Sequence, residues 1–433
     1  MVLGGRGYCV AIVRLGAGRS GRAYNSRMFK EHYRKVIIAC GFLFVFVNLG
    51  LASTAFSVHQ PYIVAIPGVG DTGGLLILSV RMFTSLVSML FVDRYYEALD
   101  VRRGVFLMSV SVCIGFIVFS MASSLPLFMF GAIFMGLGYG MGGAVALTFL
   151  ANRWFSSGIG SAVGIGAMGS GVASILMPLL VVRIINASSL STAFLVEAGV
   201  SLAIGVVVYA LIRNRPSDLG LEPFEGSAAA KAKHIREMAP ASRGERRLLM
   251  VAIVFVGIFG CCGMTYLSVL ATSTGFDPVF AALLVSIAGT TMTISKFVAG
   301  RLFDRLGAPR ASFIIFSIAF IGFALCCTAN RGIEPLMIVG AVAVGSGLTL
   351  GTVGLSVWSI DLSGPRTRTK QIKNFQVAYA FGGFIANTLP GIVKDLVGSY
   401  VVSYAAMVVL IAVAAFIILR FYWKFEKRLD VTA

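Results

Sequence analysis

Two basic side chains stand inside long apolar stretches of the sequence, where a charge needs a partner. Arg81 lies in LILSVRMFTSLVSMLFVDR, and Lys296 lies in TMTISKFVAGRLFDRLG. An Asp–Arg pair follows each of them, at 93–94 and at 304–305. In a helix these spacings put Arg81 about 18 Å and Lys296 about 12 Å along the axis from the pair that follows. Because a charge among apolar groups is unstable unless it is paired or hydrated, these cations are suited to binding a small anion.

The composition places both cations in a membrane protein. Of 433 residues, 58% are hydrophobic and 12% are charged, which is too apolar for a soluble domain. Apolar windows long enough to cross about 30 Å of hydrocarbon occur twelve times, and each is predicted to be a helix because the backbone must satisfy itself in lipid. The predicted spans are 36–62, 73–92, 104–122, 125–150, 158–182, 190–212, 248–273, 279–301, 310–330, 333–360, 372–393 and 399–421.

The basic residues are distributed unevenly along the chain. Most of the 36 lysines and arginines lie before span 1, in 213–247, after span 12 and in every second loop, whereas the alternate loops hold only Arg183, Arg331 and Lys394. This asymmetry predicts a multi-pass protein of the cell (inner) membrane with both termini in the cytoplasm. The net charge of +18 is thus a topology signal, and no nucleic-acid partner is expected.

The chain divides into two similar halves. The predicted divisions are a basic cytoplasmic segment 1–35, a six-helix bundle 36–213, a cytoplasmic linker 214–247, a second six-helix bundle 248–421 and a cytoplasmic tail 422–433. The Asp–Arg pairs, the Gly-rich spans 4 and 10, and Pro178 and Pro390 recur at nearly constant offsets. We therefore expect an all-α membrane fold of two pseudo-symmetric bundles with a substrate site between them. Residues 1–27 are either a disordered arm or precede a true start at Met28.

The loop after span 8 carries a motif that extends beyond the Asp–Arg pair. Its residues resemble the GxxxDRxGxxR loop of the major facilitator superfamily, and the resemblance covers residues 28–428. It implies a secondary transporter in which the motif forms a cytoplasmic gate. The copy after span 2 keeps the charged pair and lacks both glycines. The gate residues are Asp93, Arg94, Gly300, Asp304, Arg305, Gly307 and Arg310.

A second run of residues resembles one branch of that superfamily more narrowly, the monocarboxylate and oxalate/formate transporters. This run begins with Asn152-Arg153-Trp154-Phe155, although Ser156, Ser157 and Gly158 stand where the branch usually has basic residues. The branch implies a small organic anion carried by alternating access, with the cation at Lys296 on the substrate carboxylate. The residues expected to pack helices in this pattern are Arg153, Gly164, Gly169, Gly171, Pro178 and Pro390.

Two departures from the branch bear on substrate and coupling. The proton-coupled monocarboxylate carriers have an Asp where this chain has Met292, so their coupling mechanism does not transfer. The lysine that recognises oxalate in span 11 is absent near Gly382, which favours a monocarboxylate. A coupling proton or counter-anion stays open, and the candidates are His59, as an outer-vestibule residue or a proton carrier, and Glu197.

Each candidate binding residue also has a structural alternative. Lys296 could extend its ammonium to the headgroups, and Arg81 could pair with Glu197 or with a backbone carbonyl. The further candidates for the cavity lining, each of which could instead make an interhelical hydrogen bond, are Tyr379, Gln376, Asn374, Tyr266 and Asn48.

Several other functions have no support in the sequence. The seven cysteines and three histidines show no metal-ligand spacing, and no hydrolase or phosphate-binding motif occurs. We therefore expect no enzyme, no metal and no cofactor, but a monomer among membrane lipids that binds a small molecule. The rival interpretations are efflux of amphipathic compounds and a transport-inactive nutrient sensor.

Overall fold

The computed structural model describes residues 19–54, 56–224, 243–363, 367–386 and 389–430. The predicted arm before residue 19 and most of the predicted linker lie outside the described residues. The described chain is helical over nearly its whole length, and ten of its helices are long and apolar enough to cross a membrane. Span 2 is a shorter apolar helix, Gly73–Met89, and span 11 consists of two helices.

The helix bounds follow the predicted spans, and spans 4, 7, 10 and 11 are each divided into two helices. In the first half the helices are Arg19–Val45, Gly70–Met89, Val92–Met121, Leu125–Gly142 with Ala144–Trp154, Ile159–Ala187 and Leu190–Leu211. In the second half they are Arg243–Thr265 with Leu267–Ser273, Pro278–Leu306, Ala308–Cys326, Glu334–Gly347 with Val353–Asp361, Arg368–Ala386 with Leu389–Val397, and Tyr400–Asp430. The breaks in spans 4 and 10 fall at equivalent places, Gly143 and Thr352, as expected of a repeat.

Span 1 differs from the continuous helix that hydropathy predicts. Its α-helix begins at Arg19, ends at Val45 and continues as a π-helix, Phe46–Thr54. A 3₁₀ segment, Phe56–His59, and a short helix, Gln60–Val64, complete the crossing. Because π and 3₁₀ segments have their own hydrogen-bond spacing, backbone carbonyls in this part of span 1 are open to other partners.

The start of span 1 and the end of span 12 lie on one side of the bundle, which we call the terminal face. There Tyr33, at the start of span 1, donates a hydrogen bond of 2.6 Å to the carbonyl of Leu211 at the end of span 6. Lys424 of span 12 and Glu245 of span 7 form an ion pair of 2.6 Å. We call the other side the opposite face. Each half has its own apolar core, and large side chains such as Phe83, Leu179 and Val279 point outward, as lipid-facing residues do.

Spans 5 and 8 bring the two halves into backbone contact. A Cβ atom on Gly160 would lie 2.6 Å from the carbonyl oxygen of Gly300, and one on Gly164 would lie 2.5 Å from the carbonyl oxygen of Lys296. Neither distance leaves room for a side chain. Small residues permit such approach between membrane helices, so the glycines of span 5 set how closely the halves meet.

Candidate functional site

Arg81 lies past the middle of the span 2 helix and points into the first half. Its side chain is 9% exposed. Nη1 donates a hydrogen bond of 3.1 Å to the carbonyl oxygen of Ala52, and the guanidinium carbon lies 5.7 Å from the centre of the Phe56 ring. Nε is buried and has no hydrogen-bond partner among the described residues. The π-helix of span 1 explains the first contact, because Ala52 lies in its last turn, where helix carbonyls lack intrahelical partners.

Lys296 lies on the side of span 8 that faces span 5. It is 2% exposed, and its Nζ donates hydrogen bonds of 2.9 Å to Ser170 Oγ and 3.3 Å to the carbonyl oxygen of Ala167. The side chain therefore crosses from one half to the other and does not extend to the headgroups. Its position depends on the glycine contacts of span 5, which bring the two backbones together.

The two cations share an electrostatic situation. Each is buried and is hydrogen-bonded to neutral oxygen atoms, and in the described ranges neither makes an ion pair with a carboxylate. Desolvation of an ion is only partly offset by neutral dipoles, and charged groups inside membranes commonly mark ligand pathways. An anion placed near either cation would be stabilised.

Tyrosines of both halves lie in the region between them. Tyr139 of span 4 lies near Arg81 and near Cys261 of span 7, and Tyr379 of span 11 lies near Tyr139. The Cys261 thiol lies 3.9 Å from the Tyr379 hydroxyl. Of the other predicted lining residues on span 11, Gln376 is buried and Asn374 is half-buried.

Two predicted lining residues make packing contacts instead. Asn48 is fully buried, and its Nδ2 donates to the Phe44 carbonyl at 3.0 Å and to Ser109 Oγ at 3.1 Å. This is the interhelical alternative, between spans 1 and 3. The Tyr266 ring packs against Tyr400 of span 12, with the centres 5.9 Å apart.

His59 and Glu197 form a pair that the sequence did not predict. His59 Nε2 lies 2.8 Å from Glu197 Oε2, and the side chains are 0% and 1% exposed. The interpretation of His59 as an outer-vestibule residue is therefore wrong, because its ring is buried among aromatic rings of the first half. Of the two structural alternatives predicted for Arg81, the pair with Glu197 does not form, because Glu197 contacts His59, whereas the contact with a backbone carbonyl does.

Two of the residues predicted to form a gate, Asp93 and Asp304, join the two halves at the terminal face. Lys373 Nζ of span 11 lies 2.5 Å from Asp93 Oδ2. Asp304 accepts hydrogen bonds of 2.9 and 2.7 Å from the backbone N–H groups of Gly160 and Ser161, in the first turn of span 5. A carboxylate is favourable at a helix N-terminus because it satisfies free N–H groups and complements the dipole. With these contacts the terminal face is closed.

The remaining gate and packing residues have more local roles. The backbone N–H of Arg94 donates to Asp93 Oδ1 at 3.0 Å, while Arg305 and Arg310 are exposed. Gly307 ends span 8 at φ 78°, where a residue with a Cβ is disfavoured. Arg153 makes an ion pair of 3.7 Å with Asp100 at the start of span 3.

Reversing the charges of the Asp93–Lys373 pair tests whether this ion pair helps to hold the terminal face closed. Asp93→Lys alone places two cations together and is expected to shift the balance away from the closed terminal face by roughly fivefold or more, since a partly buried pair contributes about 1 kcal/mol. Adding Lys373→Asp should restore closure. The measurement is the distance between spin labels on exposed positions of the two halves. If the double variant is as open as the single one, the Asp93–Lys373 pair does not hold the terminal face closed.

Asp304→Asn is expected to open the terminal face further than the loss of the Asp93 pair does. The amide keeps one acceptor oxygen and loses the charge, so it gives up hydrogen bonds to a charged group that contribute about 1.5–3 kcal/mol each. The same spin-label distance measures the effect. Asp304→Glu, which keeps the charge on a longer stem, is the matched variant.

Several contacts at this interface escaped the sequence analysis. Arg368 Nη1 donates to Asn152 Oδ1 at 3.0 Å, and Thr148 Oγ1 lies 2.8 Å from Ser356 Oγ. Lys373 carried no signal beyond its place among the basic loop residues. Ser170 stood in the Gly-rich run of span 5, which predicted close packing but not a partner for Lys296.

Comparisons with known proteins agree with this architecture. A family model, Major Facilitator Superfamily, matches residues 38–386 and 248–430. Monocarboxylate transporter 13 of Bos taurus is 24% identical over 336 residues, which cover 76% of this chain and 74% of that protein. Solved structures with a similar fold include the E. coli fucose:proton symporter FucP (17% identity, TM-score 0.63, 89% of this chain and 98% of that one). They also include the proton:xylose symporter XylE (18% identity, TM-score 0.67, 93% and 96%).

The family model spans both bundles, including the gate loops and the two cation-bearing helices. The twelve-span, two-bundle fold predicted from hydropathy and repeats is confirmed, and the family is one of transporters and not of enzymes. This chain belongs to the major facilitator superfamily of membrane transporters.

Proposed function

We propose that this transporter carries a small monocarboxylate, whose carboxylate group binds between Arg81 and Lys296. The observation that carries the proposal is the presence of one buried cation in each half, both hydrogen-bonded to neutral oxygen atoms. An anion that met both would join the halves at their interface. The similarity to a protein named monocarboxylate transporter 13 supports the same substrate class.

Transport in this proposal is alternating access by rocking of the two halves. The closed terminal face corresponds to a state in which substrate enters from the opposite face. Binding between Arg81 and Lys296 would draw the halves together on that side, while the contacts of Asp93 and Asp304 release. We further propose that the terminal face is cytoplasmic, because the basic loops lie there.

Thermal stabilisation of the purified protein tests the substrate class directly. The panel is formate, acetate, L-lactate, pyruvate and oxalate, and each acid except oxalate is paired with its uncharged amide as a control of equal size. A ligand at about 100 times its dissociation constant stabilises the folded state by about 2.7 kcal/mol, so a rise of several degrees in Tm is expected for monocarboxylates. The amides should have no effect.

The rival functions predict different outcomes of the same experiment. If only amphipathic compounds raise Tm, the chain is an efflux carrier and the anion site is wrong. If carboxylates raise Tm but reconstituted protein catalyses no uptake into proteoliposomes, the chain is a sensor. Equal effects of acids and amides would show that the charge is not recognised.

A further inference from the structure

The His59–Glu197 pair is a buried titratable site that the proposed carboxylate binding does not use. It lies between spans 1 and 6, and the His59 ring stacks on Phe194, with the centres 4.8 Å apart. Phe56 lies 5.4 Å and Phe116 lies 6.5 Å from the same ring, measured between centres. No water-exposed surface reaches the pair, since both side chains are at most 1% exposed.

The geometry of the pair indicates that it holds one proton. His59 Nδ1 lies 3.3 Å from the carbonyl oxygen of Phe56, and Nε2 lies 2.8 Å from Glu197 Oε2. Both ring nitrogens thus face acceptors, whereas a neutral imidazole has only one N–H group. The distance between Nε2 and Glu197 Oε2 is that of an ion pair, but the two groups are not aligned as in a hydrogen bond. An imidazolium beside a carboxylate satisfies both contacts and leaves the pair neutral.

Loss of that proton would change the local charge. The pair would become a single carboxylate among phenyl rings, and one of its oxygens, Oε1, is buried without a hydrogen-bond partner in the described part of the chain. A bare carboxylate in such surroundings is strongly unfavourable. A cation that approached it would be stabilised.

Arg81 is a candidate for that cation, because Arg81 and His59 both pack against the Phe56 ring. The Phe56 ring has the Arg81 guanidinium carbon 5.7 Å from its centre and the His59 ring 5.4 Å away. The same stretch of span 1 also supplies the Ala52 carbonyl to Arg81 and the Phe56 carbonyl to His59. This stretch is the π and 3₁₀ segment, so a change at His59 reaches the contacts of Arg81 through a few residues.

Other titratable groups near the pair are few. The helices packed around it carry, in this half of the membrane and among the side chains that the structure describes, a buried thiol, two tyrosines and an exposed arginine. None of these supplies a second buried carboxylate. They are Cys113 of span 3, Tyr62 after span 1, Tyr139 of span 4 and Arg183 of span 5.

We propose that the His59–Glu197 pair is the binding site of a coupling proton. The proposal rests on the carboxylate binding proposed above. Without the proton, the negative pair attracts Arg81, which packs against the same Phe56 ring, and competes with substrate. With the proton, the pair is neutral, and Arg81 is free to bind a carboxylate. Proton and monocarboxylate then bind together and cross as an electrically neutral set, which makes the carrier a symporter.

Proteoliposomes that contain a trapped pH-sensitive dye test the coupling with L-lactate as the probe. In vesicles that contain wild-type protein, one proton should enter with each lactate after the proton leak of protein-free vesicles is subtracted. Glu197→Gln cannot release a proton from the pair. It should keep lactate exchange, and its rate of proton movement should be at least tenfold lower than that of the wild type. The matched control is Ser201→Ala, one turn along span 6, which removes only a hydroxyl that donates to the Glu197 carbonyl at 2.8 Å.

Two results would overturn the proton site while the carboxylate carrier stands. The first is proton movement by Glu197→Gln equal to that of the wild type. The second is lactate uptake by the wild type without any proton.

A measurement without substrate keeps the two proposals separable. In a His32→Gln/His234→Gln background, His59 is the only histidine, and its ¹⁵N resonances report both ring nitrogens. At neutral pH we expect both nitrogens protonated in this background and a single protonated nitrogen after Glu197→Gln. Identical spectra would refute the proton site, whatever the carboxylate screen gives.

Discussion

Replacing Lys296 by glutamine is expected to reduce carboxylate affinity by about 100-fold and to abolish uptake. Removal of one partner of a buried charge pair typically costs about 2–5 kcal/mol, and 1.4 kcal/mol corresponds to a factor of ten. The ammonium is 2% exposed, so water does not replace it. The measurement is the concentration of L-lactate that gives half-maximal thermal stabilisation, followed by uptake into proteoliposomes.

Two matched variants separate the charge of Lys296 from its packing. Lys296→Arg keeps the charge and adds a planar fork that suits a carboxylate, so binding should be largely retained. Ser170→Ala removes the hydroxyl that accepts from Nζ at 2.9 Å and leaves the charge in place. Binding by Lys296→Gln at wild-type strength would exclude this residue from the site.

Arg81→Gln extends the same test to the other half. If both cations contact one carboxylate, the losses of the two single variants should not add in the double variant, because residues that share a ligand are coupled. Full additivity would mean that Arg81 and Lys296 act on separate ligands or at separate steps. Either single loss without the other would assign binding to one half alone.

The sequence predicts how far along their helices the two cations stand from the Asp–Arg pairs, but not which atoms they contact. That distance follows from helical rise and from the position of the pairs, which are local quantities. The partner of Arg81 is a carbonyl of the span 1 π-helix, and hydropathy does not distinguish a π-helix from an α-helix. The partner of Lys296 is Ser170 on span 5, which depends on how the two halves meet.

The same distinction holds for His59 and Glu197. Each was recognisable as a polar residue in an apolar span, but their pairing is a contact between the first and the last span of one bundle. The sequence offered Arg81 as an equally reasonable partner for Glu197. Only the packing of spans 1, 3 and 6, with their phenyl rings around His59, decides between them.

The gate shows where a motif is sufficient and where it is not. Asp304 was expected to belong to a cytoplasmic gate, and it accepts hydrogen bonds from the first N–H groups of span 5. The degenerate copy at Asp93 has lost its glycines, and its partner, Lys373, belongs to the other half. A motif describes local geometry, whereas the residue that it meets across the interface is set by tertiary structure.

Gly164→Val is expected to abolish transport by holding the terminal face open. A Cβ at this position would lie 2.5 Å from the Lys296 carbonyl oxygen, so spans 5 and 8 could not meet as they do at the terminal face. Overpacking of this kind costs about 1–3 kcal/mol, which shifts the balance between closed and open states by roughly 5- to 150-fold. The side chain of Lys296 and its charge remain.

Spin labels carried by unnatural amino acids at the exposed positions Arg103 and Arg305 measure the opening of the terminal face without disturbing the native cysteines. The distance should lengthen in Gly164→Val. Gly199→Val is the matched control, because Gly199 lies near the middle of the span 6 helix and an added Cβ would have nothing within 4 Å. It makes the same change of helix propensity without a clash. If the two variants give the same distance and the same uptake, then close approach of spans 5 and 8 is not what closes this face.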